Sequence, residues 1–312
     1  MEHPAPFPFV PLVGTASWTD KTLLDSGKFY PESVKTPEAR LRFYASQFNL
    51  VEVDTSYYAI PSVTTVQHWA ERTPAGFVFN VKAFSLFTGQ WTSTDVLPRD
   101  IKQALGAGRR MVYKEMDAQL REELWKRFAA CLVPLQVNGK LGLVHFQFSP
   151  KVSRHKAVIE HIEHCLQHLP GHTLSIEFRH PSWWENDAVT ADTLAMLRSL
   201  GLVHTIVDGP QGTPHSVPAI WEATHPDHAL LRLHGRNAVA YGRPAKSAAE
   251  RFDYAYTSEE LQALAKQFDR IARSVKYAHA LFNNCMEDKA QLNAKEFLEA
   301  LKICLQQQSG HS

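Results

Sequence analysis

The sequence predicts a single-domain α/β protein, a (β/α)8 TIM barrel over residues 1–312, from three observations. Eight short apolar runs alternate with stretches whose apolar residues recur at helical spacing, the pattern of a parallel sheet. Each run ends in polar or titratable residues, and that end is where β/α folds place their sites. The first strand–helix turn carries Gly14 alone rather than G-x-G-x-x-G, which disfavours an open doubly wound sheet.

Residues 9–13 are short and apolar and run into Gly14-Thr15-Ala16-Ser17-Trp18. Residues 37–48, PEARLRFYASQF, open with proline at a helix start and continue with helical spacing. Residues 50–53 read as a strand, residues 61–72 as a second proline-led helix, and residues 77–81 as a strand ending at Lys82. Residues 84–113 read as an irregular excursion after this third strand, too long for an ordinary connection and therefore functional in character. A helix is expected over 115–132, a strand over 141–146 ending at Gln147, and a helix over 151–168. The strand 173–178 ends in Glu177 and Arg179. The helix 191–200 is stopped by Gly201, and the strand 202–207 ends at Asp208. Residues 209–228 hold four prolines with His215, Trp221, His225 and His228. They read as an irregular loop, so the sixth helix is weak or missing. The strand 229–233 ends in His234-Gly235-Arg236, the helix 257–275 has an acidic first turn, the strand 277–282 ends at Asn283-Asn284, and the helix 288–307 closes the chain.

Composition narrows the class of function. A hydrophobic fraction of 44% with 21% charged residues describes a globular protein. A formal net charge of +1 argues against a protein wrapped in nucleic acid or lying on an anionic membrane. The opening MEHPAPFPFV has neither a basic leader nor a long apolar core, so no secretory signal is expected. No run of about 18 apolar residues suggests a membrane span. Cys131, Cys165, Cys285 and Cys304 are widely spaced, suggesting neither a zinc module nor a disulfide framework. A cytoplasmic location is the expectation.

If the barrel closes, the strand ends share one mouth. They supply Ser17 and Trp18, Glu52 and Asp54, Lys82, Gln147, Glu177 and Arg179, Asp208, His234 and Arg236, and Asn283 and Asn284. Alternation puts Arg232 with His234 on one face, and Ser175 with Glu177 and Arg179 on another, lumenal if Leu174, Ile176 and Phe178 pack on the helices.

Seven blocks within this pattern resemble the YecE-like proteins, catalogued as domain of unknown function 72. They are GTASW (14–18), FYP (29–31), FNLVEVDTSYYAIPS (48–62), FVFNVKAF (77–84), IEFRHPSWW (176–184), RLHGR (232–236) and FNN (282–284). The resemblance implies a TIM barrel and no particular activity. The chain departs from it twice. Phe87-Thr88-Gly89 stands where such proteins often have Ile-Thr-His, and Gln147-Phe148-Ser149-Pro150 where they often have Gln-Leu-Pro-Pro. The loop after the third strand is therefore expected to shape a different pocket.

The mouth suits a small anionic ligand. Arg179 and Arg236 can grip a phosphate or carboxylate bidentately, with Lys82 as a point charge. Gln147, Asn283 and Asn284 add amides, and Trp18 and Tyr58 offer flat faces. Glu177, crowded by Glu52 or Asp208, would have a raised pKa and act with His234 in proton transfer. A divalent metal held by Glu52, Glu177, Asp208 and His234 is a rival reading, opposed by the positive charge of Lys82, Arg179 and Arg232. Nucleic acid is a second alternative, through Arg109, Arg110 and Lys114 of the basic loop 102–114, and a non-catalytic ligand-binding barrel a third. His161, His164 and His168 fall on one face of their helix and read as a solvated face, with Cys165 in the core. G-x-S-x-G and the P-loop are both absent.

Overall fold

Eight parallel strands close into a barrel. They are β1 (Val10–Ala16), β2 (Leu50–Val53), β3 (Val78–Lys82), β6 (Leu141–Phe148), β7 (Leu174–Phe178), β8 (Val203–Asp208), β9 (His228–Leu233) and β10 (Tyr277–Phe282). Each pairs with its sequence neighbours in the barrel, and β1 meets β10 from Val10↔Tyr277 to Thr15↔Phe282. The structure, a computed structural model, describes residues 9–213, 216–241 and 248–309; His215 lies outside them.

The helices wrap the outside: α1 (Lys21–Ser26), α2 (Pro37–Gln47), α3 (Val63–Glu71), α4 (Arg99–Leu105), α5 (Ala118–Val137), α6 (Lys156–His168), α7 (Asp187–Ser199), α8 (Ala238–Tyr241), α9 (Ala248–Arg251), α10 (Ser258–Ala272) and α11 (Lys289–Ser309). Caps set several starts. Thr36 accepts from Ala39 N at 3.1 Å, Ser62 from Thr65 N at 3.1 Å, and Asp117 from Gln119 N at 2.8 Å. Thr257 and Glu260 form a reciprocal capping box at α10. The helix expected at 61–72 thus begins two residues later, where Ser62 rather than proline caps it.

The two faces of each strand follow the predicted alternation. Leu174, Ile176 and Phe178 join the core between barrel and helices, while Ser175 and Glu177 are fully buried inside the barrel. Leu12, Leu50, Leu143, Val203, Leu230 and Leu281 form an apolar layer of their own. Glu52, His145, Ser175 and Arg232 lie above it, all inaccessible to solvent. Gly14 is required where β1 meets β2, since a Cβ there would stand 1.8 Å from the Leu50 carbonyl oxygen.

The excursion after β3 differs from the irregular loop expected. It holds an antiparallel hairpin, β4 (Trp91–Ser93) with β5 (Arg110–Val112), closed around α4. It also corrects the reading of the α6 histidines as solvated, because it packs on that face. His161 Nε2 donates to the Phe87 carbonyl at 2.7 Å, and Tyr113 Oη lies 2.7 Å from His164 Nε2. His168 reaches Glu122 on α5 at 2.8 Å and stacks on Trp125.

The described residues between β8 and β9 form no helix, as expected. They are nevertheless tied down: Gln211 Nε2 donates to the carbonyls of Gly209 and Val217 at 3.1 and 3.0 Å, and Thr224 Oγ1 accepts from His204 N at 2.7 Å. No helix among the described residues is long and apolar enough to cross a membrane.

Candidate functional site

β7 places Glu177 in the lumen, where side chains from β6 and from β9 and its end converge on it together with the neighbouring Arg179. Its Oε1 accepts from Gln147 Nε2 at 2.7 Å, His234 Nε2 at 3.1 Å and Arg179 Nη1 at 3.2 Å. Its Oε2 accepts from Arg232 Nη1 at 2.5 Å and lies 3.4 Å from His145 Nε2. Arg232 Nη2 reaches Glu52 Oε1 at 2.6 Å, so one guanidinium bridges two carboxylates. Nearer the mouth, Lys82 Nζ donates to Asp54 Oδ1 at 2.7 Å and Gln147 Oε1 at 3.2 Å, and sits 4.5 Å from the Tyr57 ring centroid. Gln147 therefore joins Lys82 to Glu177.

This geometry reverses the expected state of Glu177. Burial alone would raise its pKa, but Arg232, His234 and His145 outweigh burial and hold the carboxyl well below its usual range. Glu177 is a fixed carboxylate near neutral pH, not a proton carrier, and Arg232 stands between it and the Glu52 thought to crowd it. Asp54 is likewise lowered: burial opposes ionisation, while Lys82 and Arg232 overcome it.

His234 is neutral. Burial pulls its pKa down to about 3 despite Glu177 beside it. Asn283 Nδ2 donates to His234 Nδ1 at 2.8 Å, so the ring's one proton sits on Nε2 and points at Glu177. Asn283, half-buried, thus covers the Nδ1 side of the ring, which is itself buried. A cavity beside His234 and Arg179, walled by Val207, Gly209, Pro210, Ser216 and Val217, holds about 10 Å³, room for about one water.

Other candidates lie elsewhere. Asp208 is on the opposite face of β8 from the lumen. It accepts from Arg236 Nη2 at 2.7 Å and from Tyr256 Oη at 2.6 Å, and Arg236 also donates to Glu260 at 3.0 Å. Asp208 and Arg236 are thus corrected to a structural tie between β8, β9 and α10. Strand alternation gives the reason, since Val207, not Asp208, takes the inward position. Asn284 also faces away, donating to the Tyr254 carbonyl and to Asn293 Oδ1, both at 2.9 Å. Trp18 is buried edge-on against Trp69 and Phe79, where it lines a separate cavity of about 220 Å³ that reaches Asp54. Tyr58 stays exposed, edge-on to Tyr57.

The charges of this network balance. Lys82, Arg179 and Arg232 match Asp54, Glu52 and Glu177 one for one. Glu52 and Glu177, the carboxylates considered for a dication, already share a guanidinium. Burial pushes the nearby Cys285 thiol up to about 12, with Asp20 and Asp54 adding to the rise, so it is no ready thiolate. Sequence reasoning put Arg232 on the His234 face without giving it a role in the site, and it passed over His145. Both carried a signal: each is a cationic or imidazole side chain inside an apolar strand, LLRL and LVHF. In the basic loop, Lys102 pairs with Asp95 at 2.8 Å and Arg110 lies over Trp91.

The family model described as protein of unknown function DUF72 matches residues 12–311. The UPF0759 protein YunF of Bacillus subtilis is 30% identical over 294 residues, 93% of this chain and 94% of that protein. A solved DUF72 family protein of Enterococcus faecalis is 25% identical with TM-score 0.76, covering 94% of this chain and 95% of its own. Another, of Thermotoga maritima, is 27% identical with TM-score 0.74, covering 94% and 99%. A match across nearly the whole barrel, agreeing with the blocks from GTASW to FNN, makes this chain a member of the DUF72 family.

Proposed function

We propose that the chain is an enzyme that binds a small phosphate- or carboxylate-bearing ligand at the C-terminal mouth and moves a proton through His234. The observation that carries this reading is the line Glu177–His234–Asn283. A buried carboxylate takes the Nε2 proton at 3.1 Å and leaves Nδ1 as an acceptor facing the half-buried Asn283. A ligand hydroxyl or acidic C–H that displaced the Asn283 amide from Nδ1 would give up its proton there, and Glu177 would stabilise the imidazolium formed. Lys82 gives two of its three N–H donors to Asp54 and Gln147. The third, with the charge of Arg179, suits the anionic group of the ligand. The four free cysteines suit a reducing cytoplasm.

The test is a thermal-shift screen of inorganic phosphate, sugar phosphates and small carboxylates, followed by turnover assays on the compounds that bind. His234→Gln should keep binding and lose about a hundredfold or more in turnover. Lys82→Met should lose binding. Wild-type turnover in His234→Gln, or an absence of any anion that stabilises the protein, would overturn the proposal.

A further inference from the structure

A second cavity, separate from the lumen, lies between the excursion and the start of α6, with a volume of about 440 Å³. That is within the usual range for small-ligand pockets, about 300–1,000 Å³. Its walls are amphipathic. Phe148, Val152 and Val158 supply an apolar floor, while Lys114 and Lys151 stand at the rim. None of the lining residues is aspartate or glutamate, and neither lysine enters an ion pair among the described residues. The helix terminus is not the source of this character, since the His155 side chain already caps Ala157 N at 3.2 Å.

Gly89 and Phe148 both line this cavity. Gly89 lines it with φ +75°, and a Cβ there would point toward Val152 Cγ2 at 3.8 Å. A side chain at this position would stand in the space that glycine leaves open. Phe148, nearly buried and stacked on Phe178, contributes the edge of its ring to the floor. The hairpin β4–β5 supplies the opposite wall through Val112 and Tyr113. The Tyr113 hydroxyl is already engaged, accepting from Trp125 Nε1 at 2.7 Å, so that wall is pinned.

We propose that this cavity is a binding site for an anion with a flat apolar body, such as an aromatic phosphate or carboxylate. The body lies on Phe148 and Val158, and the anionic group meets Lys114 and Lys151. The site does not depend on His234 or on the reading of the mouth.

Isothermal titration of the full chain with phenyl phosphate, benzoate, inorganic phosphate and benzyl alcohol tests it. The proposal expects saturable binding of phenyl phosphate or benzoate, with benzyl alcohol and inorganic phosphate weaker by about tenfold or more. The relative strength of phenyl phosphate and benzoate identifies the preferred head group. Lys114→Met/Lys151→Met, a change at the solvent-facing rim, should weaken binding by about tenfold or more. Val158→Trp should block the floor, and Lys82→Met, which removes anion binding at the mouth, should keep the saturable aromatic-anion event of this cavity. The proposal is overturned if neither aromatic anion binds saturably, if both cavity variants bind like wild type, or if Lys82→Met abolishes binding and so moves the event to the mouth.

Discussion

Arg232 Nη1 lies 2.5 Å from Glu177 Oε2, with both side chains almost wholly removed from solvent, and its second nitrogen reaches Glu52 at 2.6 Å. A buried guanidinium with two carboxylates leaves a net negative charge, which Lys82, Arg179 and the imidazole N–H groups offset. This cluster accounts for the low pKa of Glu177 and for the polar core at the middle of the barrel.

Arg232→Met removes the shared partner and leaves two buried carboxylates facing each other. Loss of one side of a buried pair typically costs about 3–5 kcal/mol. Chemical denaturation should show a loss of that order, and Glu52→Gln added to Arg232→Met should recover part of it. A loss under about 1 kcal/mol would contradict the assignment of Arg232 as the bridge.

Acid should weaken the fold earlier than carboxylates alone would require. His204 and His234 are buried, with pKa values lowered chiefly by burial to about 4 and about 3. The unfolded chain takes up protons at these rings below about pH 6.5, while the folded chain does not until pH 4 or lower, so stability falls as pH drops through that window. Each ring contributes a slope of roughly 1 kcal/mol per pH unit there. Glu177 and Asp54, both lowered in the fold, add a further loss below about pH 4.5. Denaturation midpoints measured from pH 7 to pH 4 should fall steadily, and a flat profile down to pH 4.5 would refute the neutral state of these rings.

Asp208 belongs to the scaffold, so its loss should be felt in stability and not at the mouth. Tyr256→Phe removes the hydroxyl that Asp208 accepts at 2.6 Å and should cost roughly 1 kcal/mol. Asp208→Ala should cost about 1–3 kcal/mol. Neither should alter binding of an anion found in the mouth screen. A loss of binding in Tyr256→Phe without a loss of stability would return Asp208 to the site.

Gly14→Ala should be among the most damaging single-methyl changes in the chain. Its Cβ would meet the Leu50 carbonyl at 1.8 Å, where β1 and β2 pair and neither backbone can retreat without opening the barrel. A loss of about 3 kcal/mol or failure to accumulate as folded protein is expected. Wild-type thermal stability would contradict the close approach.

The barrel was legible because its signal is redundant: eight apolar runs of strand length, each with a polar end, tolerate errors of a few residues at any boundary. The direction of the Glu177 and His234 side chains followed from alternation alone. Alternation also turns Asp208 outward, since Val207 takes the inward position, but Arg236 and Asn284 lie past the ends of β9 and β10, where alternation no longer fixes the face. Their partners Tyr256, Glu260 and Asn293 lie 9 to 48 residues away in the chain. The bridging role of Arg232 was not legible for a related reason: its partners Glu52 and Glu177 lie 180 and 55 residues away in the chain. The excursion defeated periodicity because its strands are three residues each.

The central claim is that His234 is a neutral ring whose proton lies on Nε2 against Glu177. Nitrogen-15 NMR of histidine-labelled protein, with His234→Gln identifying the resonance, measures this directly. The account predicts a protonated Nε2 and an unprotonated Nδ1 at neutral pH, with no titration until the pH approaches about 3. A midpoint near 6.5, or the proton on Nδ1, would contradict it.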